Sequence, residues 1–489
     1  MLTRELKLGT RRSLLAWAQS SWVATEIERL NPGVRVTLFG IDTRGDQIQH
    51  IPLQQVEGKD FFVAELDQAL KSGIVDLSVH SMKDLSLDRP AEFIRAAIPK
   101  RENPRDVALF GPSILERLSS GKSVRIGTSS PRRLENIPHF LKSALPRLGL
   151  SLSLKRGEPK LELLEIRGNV NTRLSRVHEP EGSDRKLDAV ILAMAGLIRL
   201  WADEKGRSEL AKLLDGVRWM VLPLRPNPAA PAQGALAIEC RADDLFVKDA
   251  ISKLHHPETE THVSQERQLL ADWGGGCHQR FGATSIDSEA GPLLFIRGKK
   301  SNGEHVEELR WNEPPSPSCL PSPQGEVRPW DGPAEREERV PVQVSPLTQA
   351  FDNESVFVAH SRAVSEASVT KLAQARVWTS GVPSWLRLAS LGVWVEGCAE
   401  GLGYETLRTT LDEPVLQLRP EWTVLTHDAA QSGWQSEKVI ATYTVPKASK
   451  LGFDPSIQSE LAAATHIYWS SGSQFDELQG YCAKSAQHA

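Results

Sequence analysis

The stretch LSVHSMKD, from Leu77 to Asp84, decides the fold of the first half of the chain. Its opening residues form a short apolar run, typical of a buried strand, and a polar cluster follows at once. Open α/β sheets bind their ligands where strands end in this way. The sequence therefore predicts an α/β sheet with a ligand site beside His80 to Asp84. Asp84 fits a helix cap as well as a catalytic carboxylate, and the local pattern does not decide between them.

The flanking residues predict further alternating helices and strands. Apolar residues recur at helical spacing from Leu14 to Leu30 and stop at Asn31-Pro32-Gly33. A strand is expected at 34–38 and an amphipathic helix at 62–70. A second α/β series begins near Asp106. It contains predicted strands at 124–127 and 189–193, and the continuous apolar run of the latter suits a sheet covered on both faces.

Composition and pattern divide the chain into five parts. The predicted parts are lobe 1 (1–105 and 222–252), lobe 2 (106–221), a small α+β domain (253–312), a Pro-rich linker (313–346) and a C-terminal α/β module (347–489). The segment 215–231 is rich in Pro and apolar residues and is expected to cross back to lobe 1. The linker cannot bury much apolar surface, so an extended segment is expected there.

The composition is that of a soluble globular protein. The 489 residues are 40% hydrophobic and 25% charged, and no apolar run reaches the roughly 18 residues that a membrane span needs. We expect a cytoplasmic protein that binds neither membrane nor nucleic acid, because the net charge is -4. The 5 cysteines form no C-x-x-C pair, which argues against zinc sites and disulfides.

Arginines gather beside small polar residues in lobe 2. Thr128-Ser129-Ser130-Pro131-Arg132-Arg133 places hydroxyl groups and two guanidinium groups at a predicted helix start, which favours anions. Arg167-Gly168-Asn169 and Arg173 repeat the pattern. Any one cluster fits surface salt bridges equally well. Several in sequence favour a ligand that carries carboxylates or phosphates.

A thiol follows three glycines at Gly274-Gly275-Gly276-Cys277. Such a loop has high backbone freedom and little steric cover, which suits a covalent attachment point. A small buried Cys beside a tight turn remains the alternative. Thr43-Arg44-Gly45-Asp46, followed by Gly58-Lys59, reads on its own as solvated surface.

Taken together, these clusters resemble hydroxymethylbilane synthase (porphobilinogen deaminase). The matching stretches, in the family's order from Leu8 to Cys277, are LGTRRSLLAWAQ, TRGD, VHSMKDL, RENPRDV, IGTSSPRR, EIRGNVNTRL, DAVILAMAGLIRL, PAQGALAIECR and SQERQLLADWGGGC. The resemblance implies two doubly wound, periplasmic-binding-protein-like lobes and a small α+β domain that bears Cys277. Domain flexing is expected, because the product grows within the cleft between the lobes.

The resemblance also implies the chemistry. Four porphobilinogen molecules would be condensed, with loss of ammonia, to hydroxymethylbilane on a dipyrromethane primer held by Cys277 through a thioether. Asp84 would be the catalytic carboxylate, with Lys83 beside it. A fixed carboxylate there would stabilise the cations that form when porphobilinogen loses ammonia.

Further positions match the family's contacts to the acetate and propionate arms of the pyrroles. The charged ones are Arg11, Lys83, Arg132, Arg133, Arg167, Arg173 and Arg199, and Lys59 matches a lysine of the lid. The polar ones are Ser13, Gln19, Ser81, Thr128, Ser129, Ser130 and Gln233. The lid departs from the family's Gly-Gly-Lys-Gly, because Glu57 and Asp60 flank Gly58-Lys59 and Gln55 replaces a common lysine.

The C-terminal module is similar to uroporphyrinogen-III synthase. The matches are VFVAHSRAV, VLTHDAAQSGW, VIATYTV and THIYWSSGSQFDEL. A fused second enzyme would capture hydroxymethylbilane before it cyclises spontaneously. The sequence leaves open whether the module is catalytic, degenerate or a docking domain. A monomer is expected, with functional coupling to uroporphyrinogen-III synthase.

One non-enzymatic reading remains for the two lobes. A ligand sensor that binds anions or carboxylates would also place arginines in a cleft between α/β lobes. Such a sensor has no use for a thiol on a glycine loop or for Asp84 amid cations. A phosphate-binding NTPase is excluded, because the sequence lacks a Gly-x-x-x-x-Gly-Lys-Ser/Thr loop.

Overall fold

The computed structural model describes residues 4–43, 63–148, 157–275, 279–288, 291–300, 302–311, 328–330, 344–428, 430, 434, 437–444, 455–467, 478–482 and 487–488. Within these ranges, no helix is both long and apolar enough to cross a bilayer. The chain folds as a mixed α/β protein, with five sheets among the residues described.

The described strands are β1 (Arg4–Arg11), β2 (Val34–Ile41), β3 (Leu77–Ser81), β4 (Phe93–Ala97), β5 (Asp106–Phe110), β6 (Val124–Gly127), β7 (Leu161–Leu164), β8 (Ala189–Ala193), β9 (Arg218–Val221), β10 (Leu236–Arg241), β11 (Phe281–Ile286), β12 (Leu293–Lys299), β13 (His305–Trp311), β14 (Pro329–Trp330), β15 (Ser355–Val358), β16 (Arg376–Thr379), β17 (Val395–Cys398), β18 (Trp422–His427), β19 (Lys438–Tyr443), β20 (His466–Ile467) and β21 (Gln487–His488). The described α-helices are α1 (Leu14–Leu30), α2 (Ala64–Lys71), α3 (Ile114–Ser119), α4 (Pro131–Ala144), α5 (Val170–Leu174), α6 (Met194–Ala202), α7 (Glu204–Leu214), α8 (Leu245–Ser252), α9 (Pro257–Asp272), α10 (Val382–Ser390), α11 (Tyr404–Leu411) and α12 (Pro455–Ala463). Short 3₁₀ turns occur at Met82–Asp84, Ser175–His178, Ser361–Ala363, Glu366–Leu372, Pro414–Leu416 and Gln479–Tyr481.

Sheet A carries the first functional edge. Its order is β2-β1-β3-β10-β4, and β1 runs parallel to both β2 and β3. Parallel strands end at the same edge of a sheet, so the carboxyl ends of β1 and β3, at Arg11 and Ser81, lie side by side. The predicted helix 14–30 has the bounds of α1, and the strand predicted at 34–38 extends to Ile41 as β2.

Sheet B carries the second edge. Its order is β7-β6-β8-β5-β9, with β6 parallel to β7 and β8. Strands predicted at 124–127 and 189–193 are β6 and β8. The first part of the segment 215–231 forms β9, which pairs antiparallel with β5, and Trp219 and Met220 of β9 are buried. The residues after β9 lead to β10 of sheet A.

The α+β domain joins α9 to a three-stranded antiparallel sheet, β11-β12-β13. Helix α9 leads directly into the glycine loop. Gly274 and Gly275 have φ values of 95° and 67°, a region that favours glycine. The sequence needs glycine at these positions for the turn itself.

The C-terminal module contains a five-stranded parallel sheet, sheet E, in the order β17-β16-β15-β18-β19. A smaller sheet has the order β14-β20-β21. Strand β14 lies within the stretch predicted as a linker, and Trp330 is buried with its indole Nε1 donating to Glu460. The two residues of β14 are extended, as predicted for the linker, and the indole of Trp330 nevertheless buries apolar area.

Lobe 2 and the C-terminal module share one hydrophobic cluster. The ring of Phe110 meets Trp394 edge to face at 5.1 Å, and Phe140 meets Trp385 in the same way at 5.1 Å. The indole Nε1 of Trp385 donates to the carbonyl of Ala144 at 3.1 Å. The module is therefore packed on lobe 2 as well as connected to it along the chain.

Candidate active site

Asp84 lies on the 3₁₀ turn that follows β3, with its side chain exposed. Arg267 of α9 holds this turn in place. Its Nη1 donates to the carbonyls of Met82 and Leu85 at 2.9 and 3.0 Å, and its Nη2 donates to that of Ser86 at 2.7 Å. The guanidinium is buried and caps three carbonyls, so the position of Asp84 is fixed by the α+β domain.

Lys83 joins this turn to the segment that returns from lobe 2. Its Nζ donates to Oε1 of Gln233 at 3.3 Å. Burial and the nearby Arg133 lower the pKa of Lys83, while Asp84 opposes that shift. Gln233 is buried, and its Nε2 donates to Oδ1 of Asp106 at 2.9 Å. A continuous polar path therefore links the turn to lobe 2.

Asp106, the first residue of β5, is fully buried between two guanidinium groups. Nη2 of Arg133 lies 2.8 Å from its Oδ1, and Nη1 of Arg132 lies 2.8 Å from its Oδ2. Burial opposes ionisation of Asp106, but the two guanidinium groups outweigh it and hold its pKa well below the usual range. Two cations share one carboxylate, which leaves net positive charge in the interior.

Thr128, Ser129 and Ser130 connect β6 to α4 and are buried or half-buried. Ser130 is the N-cap of α4, and its Oγ accepts from the backbone N–H of Arg133 at 3.5 Å. The Oγ1 of Thr128 accepts from the N–H of Ser130 at 3.4 Å. The predicted hydroxyl groups at a helix start are present, and they also order the loop before Arg132 and Arg133.

Arg173 adds to the cationic group. Its Nε donates to the carbonyl of Gly168 at 2.7 Å. Burial, together with the charges of Arg133 and Arg167, lowers the pKa of Arg173 to about 10, while Asp84 opposes the shift. Arg167 follows β7 at the edge where β6 also ends, and burial lowers its pKa as well. The arginines separated in sequence thus act on one another in space.

The predicted polar residues of lobe 1 lie at the carboxyl edge of sheet A. Nε2 of the buried Gln19 donates to Oγ of Ser81 at 3.3 Å. Arg11 ends β1 beside this pair. Ser13 caps α1, since its Oγ accepts from the N–H of Ala16 at 3.3 Å, and its contact to a ligand stays a prediction.

Arg199 of α6 bonds to the protein backbone, and its predicted contact to a ligand carboxylate stays a prediction. Its Nη2 donates to the carbonyl of Gly234 at 2.6 Å, next to Gln233. Burial lowers its pKa to about 10, and Glu102 opposes that shift. Arg199 therefore anchors α6 to the returning segment, because a buried guanidinium satisfies a backbone acceptor.

Two predicted residues, Lys59 and Cys277, lie outside the described residues. The loop that precedes Cys277 is described as far as Gly275. A Cβ built on Gly275 would lie 3.3 Å from Cδ1 of Leu87, three residues beyond Asp84 in the chain. The glycine loop thus begins beside the turn of Asp84.

The described residues fit a ligand that carries several carboxylates. The buried Nε atoms of Arg132 and Arg133 have no hydrogen-bond partner among the described residues. Buried donors without acceptors are costly, and the pKa of Arg173 is depressed by burial and by neighbouring cations. Acidic side arms would supply acceptors and negative charge at the same place.

Two residues of this site were not predicted from the sequence. Asp106 lies in the quoted stretch RENPRDV, and an acid at the start of the apolar run DVALF signals a buried carboxylate that needs cationic partners. Arg267 lies in SQERQLLADWGGGC, and nothing in its spacing indicates that it reaches the turn of Asp84.

The fold and the site define a mixed α/β protein with a buried cationic group next to an exposed carboxylate on a fixed turn. Residues 6–249 match a family model described as "Porphobilinogen deaminase, dipyromethane cofactor binding domain". The porphobilinogen deaminase of Pelobacter propionicus is 39% identical over 277 residues, which are 57% of this chain and 78% of that protein. The enzyme of Geobacter sulfurreducens is 38% identical over 311 residues, 63% of this chain and 86% of that one.

The chain belongs to the porphobilinogen deaminase family. It is accordingly a transferase of tetrapyrrole biosynthesis, of the hydroxymethylbilane synthase type, with porphobilinogen as substrate and dipyrromethane as cofactor. The prediction made from the ordered motifs is confirmed.

Two similar solved structures are distant likenesses. Full-length BenM has a TM-score of 0.27 at 14% identity, covering 57% of this chain and 71% of that one. YhfZ from Shigella flexneri has a TM-score of 0.26 at 13% identity, covering 57% of this chain and 94% of that one. These scores carry no weight in the assignment.

Proposed function

We propose that the chain condenses porphobilinogen stepwise into hydroxymethylbilane, with Asp84 as the catalytic carboxylate and Cys277 as the attachment point of the cofactor. One observation carries the proposal. The turn that presents Asp84 is joined through Lys83 and Gln233 to the buried Asp106, around which Arg132 and Arg133 gather. One connected group of side chains thus contains both a carboxylate that can stabilise cations and donors that can bind acidic arms.

Asp84 acts on the charge that develops at the substrate. Porphobilinogen becomes electron-poor as ammonia leaves, and each coupling places positive charge on a pyrrole nitrogen. A fixed carboxylate stabilises such charge without reorganisation of solvent. Arg267 supplies the fixation by binding the carbonyls on both sides of Asp84. An exposed carboxylate on a held turn can also accept and return a proton.

The cationic residues hold the acidic arms and orient the rings. When bound, dipyrromethane supplies the primer to which new pyrrole units are joined. The Nε–H donors of Arg132 and Arg133 have no partner within the described part of the chain, and the charges of Arg133 and Arg167 act on Arg173. Lys83 would bind an arm close to the reacting carbon, and its position between Asp84 and Gln233 supports this role. The guanidinium fork gives orientation as well as charge.

The described cysteines are poorly suited to hold the cofactor, and this supports Cys277 as the attachment point. Cys240 and Cys398 are buried, and burial raises the pKa of both thiols, that of Cys240 to about 11. Burial raises the pKa of Cys482 too. Thioether formation needs an accessible thiol with thiolate character. Cys277 and Cys319 remain, and both lie outside the described residues.

The test is peptide mass mapping of the full chain under conditions that preserve the cofactor. We expect excess mass on the peptide with Cys277, and none on the peptide with Cys319. Cys277→Ser should remove that mass and the turnover of porphobilinogen, while the matched Cys319→Ser should retain both. A Cys277 peptide of unmodified mass in an active preparation would contradict the proposal, and binding of porphobilinogen without turnover would favour a carboxylate sensor.

We also infer the architecture that the family resemblance implies: two periplasmic-binding-protein-like lobes at 1–105 with 222–252 and at 106–221, an α+β domain at 253–312, a linker at 313–346 and a module at 347–489. Sheets A and B support this division, since each draws its strands from one predicted lobe. A monomer without affinity for nucleic acid or membrane agrees with the net charge of -4. Light scattering of the full chain tests the monomer.

A second candidate function concerns the C-terminal module, for which we infer uroporphyrinogen-III synthase activity coupled to the first reaction. Polar side chains meet at the carboxyl edge of sheet E. The rings of His360 and His427 lie 6.4 and 5.6 Å from that of Tyr443. The buried Nδ1 of His427 has no partner among the described residues, and burial and the nearby Arg362 lower the pKa of His360. This edge is where parallel sheets bind ligands.

Incubation of the full chain with porphobilinogen tests this second function. Isomer III of uroporphyrinogen is the expected product, because spontaneous cyclisation without ring inversion gives isomer I. Tyr443→Phe should shift the product toward isomer I without slowing the consumption of porphobilinogen. Isomer I alone from the unaltered chain would show that the module does not catalyse inversion.

A further inference from the structure

Two segments connect lobe 1 to lobe 2, and together they are named the hinge. The outgoing segment, 98–105, leaves sheet A after β4 and enters sheet B at β5. The returning segment, 222–235, leaves sheet B after β9 and enters sheet A at β10. The backbone N–H of Glu102 donates to the carbonyl of Gly234 at 3.2 Å, so the two segments run side by side.

A glutamate of the α+β domain braces one end of this hinge. The carboxylate of Glu266, fully buried on α9, accepts from Nη1 and Nη2 of Arg101 at 2.6 and 2.9 Å. It also accepts from the backbone N–H of Ala232 at 2.7 Å. One carboxylate thus holds the outgoing and the returning segment together.

A glutamate of the C-terminal module does the same at the other end. Oε1 of Glu400 accepts from Nε and Nη2 of Arg105 at 3.1 and 2.9 Å. Its Oε2 accepts from the backbone N–H groups of Leu224 and Arg225 at 2.8 and 3.3 Å. The side chain of Glu400 is 2% exposed, so these charge-assisted bonds are shielded from solvent.

The backbone at Glu400 is shaped for this contact. Its φ is 58°, a left-handed conformation that residues other than glycine rarely adopt. The neighbouring amides fix the loop, since Ala399 and Gly401 donate to the carbonyls of Thr379 and Ser380. Strain of this kind persists where the surrounding structure holds it and is typical of functional positions.

Arg105 precedes Asp106 in the chain, and Asp106 is the carboxylate that holds Arg132 and Arg133. We propose that Glu400 is a positioning residue for the deaminase reaction: from the C-terminal module it clamps both crossover segments and thereby sets how far lobe 1 opens from the arginines of lobe 2. The part of this proposal that concerns elongation rests on the proposed function. The clamp, meaning the hydrogen bonds of Glu400 to both crossover segments, does not depend on the proposed function.

The C-terminal module touches the outgoing segment at a second point that serves as a matched control. The Oγ1 of Thr410 accepts from Nδ2 of Asn103 at 2.8 Å, and among the described residues it has no hydrogen bond to Leu224 or Arg225. Thr410→Val keeps the shape and removes a contact to one segment only. Glu400→Gln keeps the shape and removes the charge that reaches both.

The test uses the full chain with its cofactor. For Glu400→Gln we expect hydrogen exchange of the Leu224 and Arg225 amides to accelerate by about tenfold or more, as loss of a charge-assisted hydrogen bond implies. We also expect a several-fold fall in kcat for porphobilinogen with little change in KM, and an altered mass distribution of enzyme-bound oligopyrroles in single turnover. Thr410→Val should match the unaltered chain in all three readouts.

Several results would overturn the proposal. Unchanged exchange at Leu224 and Arg225 in Glu400→Gln would remove the clamp. Faster exchange with unchanged kcat and oligopyrrole masses, or the same changes in Thr410→Val, would remove the positioning role. If Glu400→Gln fails to fold, Arg105→Lys serves as the test, because it retains the charge and loses the guanidinium group that binds Glu400. Unaltered kinetics in Arg105→Lys would refute the proposal. A lack of turnover in the unaltered chain would count against the proposed function. The hydrogen-exchange result would still test whether Glu400 holds the two segments.

Discussion

Arg133 lies with its Nη2 2.8 Å from Oδ1 of Asp106, and both side chains are buried. The pair changes the role that sequence analysis gave to Arg133, because part of its charge is already neutralised by the protein. Arg132 shares the same carboxylate, so the three side chains retain one net positive charge. A ligand with acidic arms would therefore bind at a site whose positive charge is already partly neutralised by Asp106.

Removal of the shared carboxylate should destabilise the fold. Asp106→Asn leaves two buried guanidinium groups without a counter-charge, and we expect a loss of about 3–5 kcal/mol in the free energy of unfolding. Urea denaturation followed by fluorescence measures this. Glu304→Gln, which breaks the exposed pair with Lys300, is the control and should leave the unfolding midpoint unchanged. Equal midpoints for both variants would contradict the assigned role.

Loss of the Asp84 charge should affect turnover and spare the cofactor. For Asp84→Asn we expect kcat to fall by about 10²–10³-fold, the usual size for a group that stabilises transition-state charge. Intact mass should still show the bound dipyrromethane. Asp88→Asn makes the same charge change at an exposed position nearby and should retain near-normal kcat. A comparable fall in both variants would show that Asp84 has no special role.

The turn of Asp84 should depend on the fork of Arg267. Arg267→Lys keeps the charge and cannot reach the carbonyls of Met82, Leu85 and Ser86 together, so the turn loosens. We expect kcat to fall by about tenfold or more through misplacement of the carboxylate. Steady-state kinetics measure the fall. Gln268→Ala, on the exposed face of the same helix, should behave as the unaltered chain, and normal kcat in Arg267→Lys would refute the dependence.

The contact between the C-terminal module and the hinge should weaken as pH rises. Burial, together with the charges of Glu102 and Asp412, raises the pKa of Glu413 from 4.5 to about 7. The folded chain therefore binds more protons than the unfolded chain between these values. The contribution of Glu413 to stability is present in acid and is lost as pH rises through the folded pKa.

Glu413→Gln imitates the protonated acid and tests this dependence. The urea midpoint of the unaltered chain should fall further than that of the variant between about pH 5 and 8. Other groups titrate in both proteins alike, so the difference between the two slopes isolates Glu413. Parallel slopes would show that Glu413 titrates normally.

Local sequence was sufficient for the elements and for the family. Helix 14–30 and the strands at 124–127 and 189–193 have the predicted bounds, because apolar periodicity and terminating residues act over a few positions. The ordered motifs predicted the reaction class and the cofactor. They also placed Lys83, Asp84, Arg132, Arg133 and Arg173 in one site, which the structure brings together.

Tertiary structure decided the partners of those residues. Ser13 and Arg199 satisfy backbone groups, and Asp106 neutralises Arg132 and Arg133, because buried polar atoms bond to whatever acceptor the fold brings near. Only the fold shows that Glu400, almost three hundred residues from Arg105 in the chain, reaches the hinge. The hydrophobic pattern can be read directly from the sequence. Charge pairing depends on distances between side chains, and these are defined only once the chain has folded.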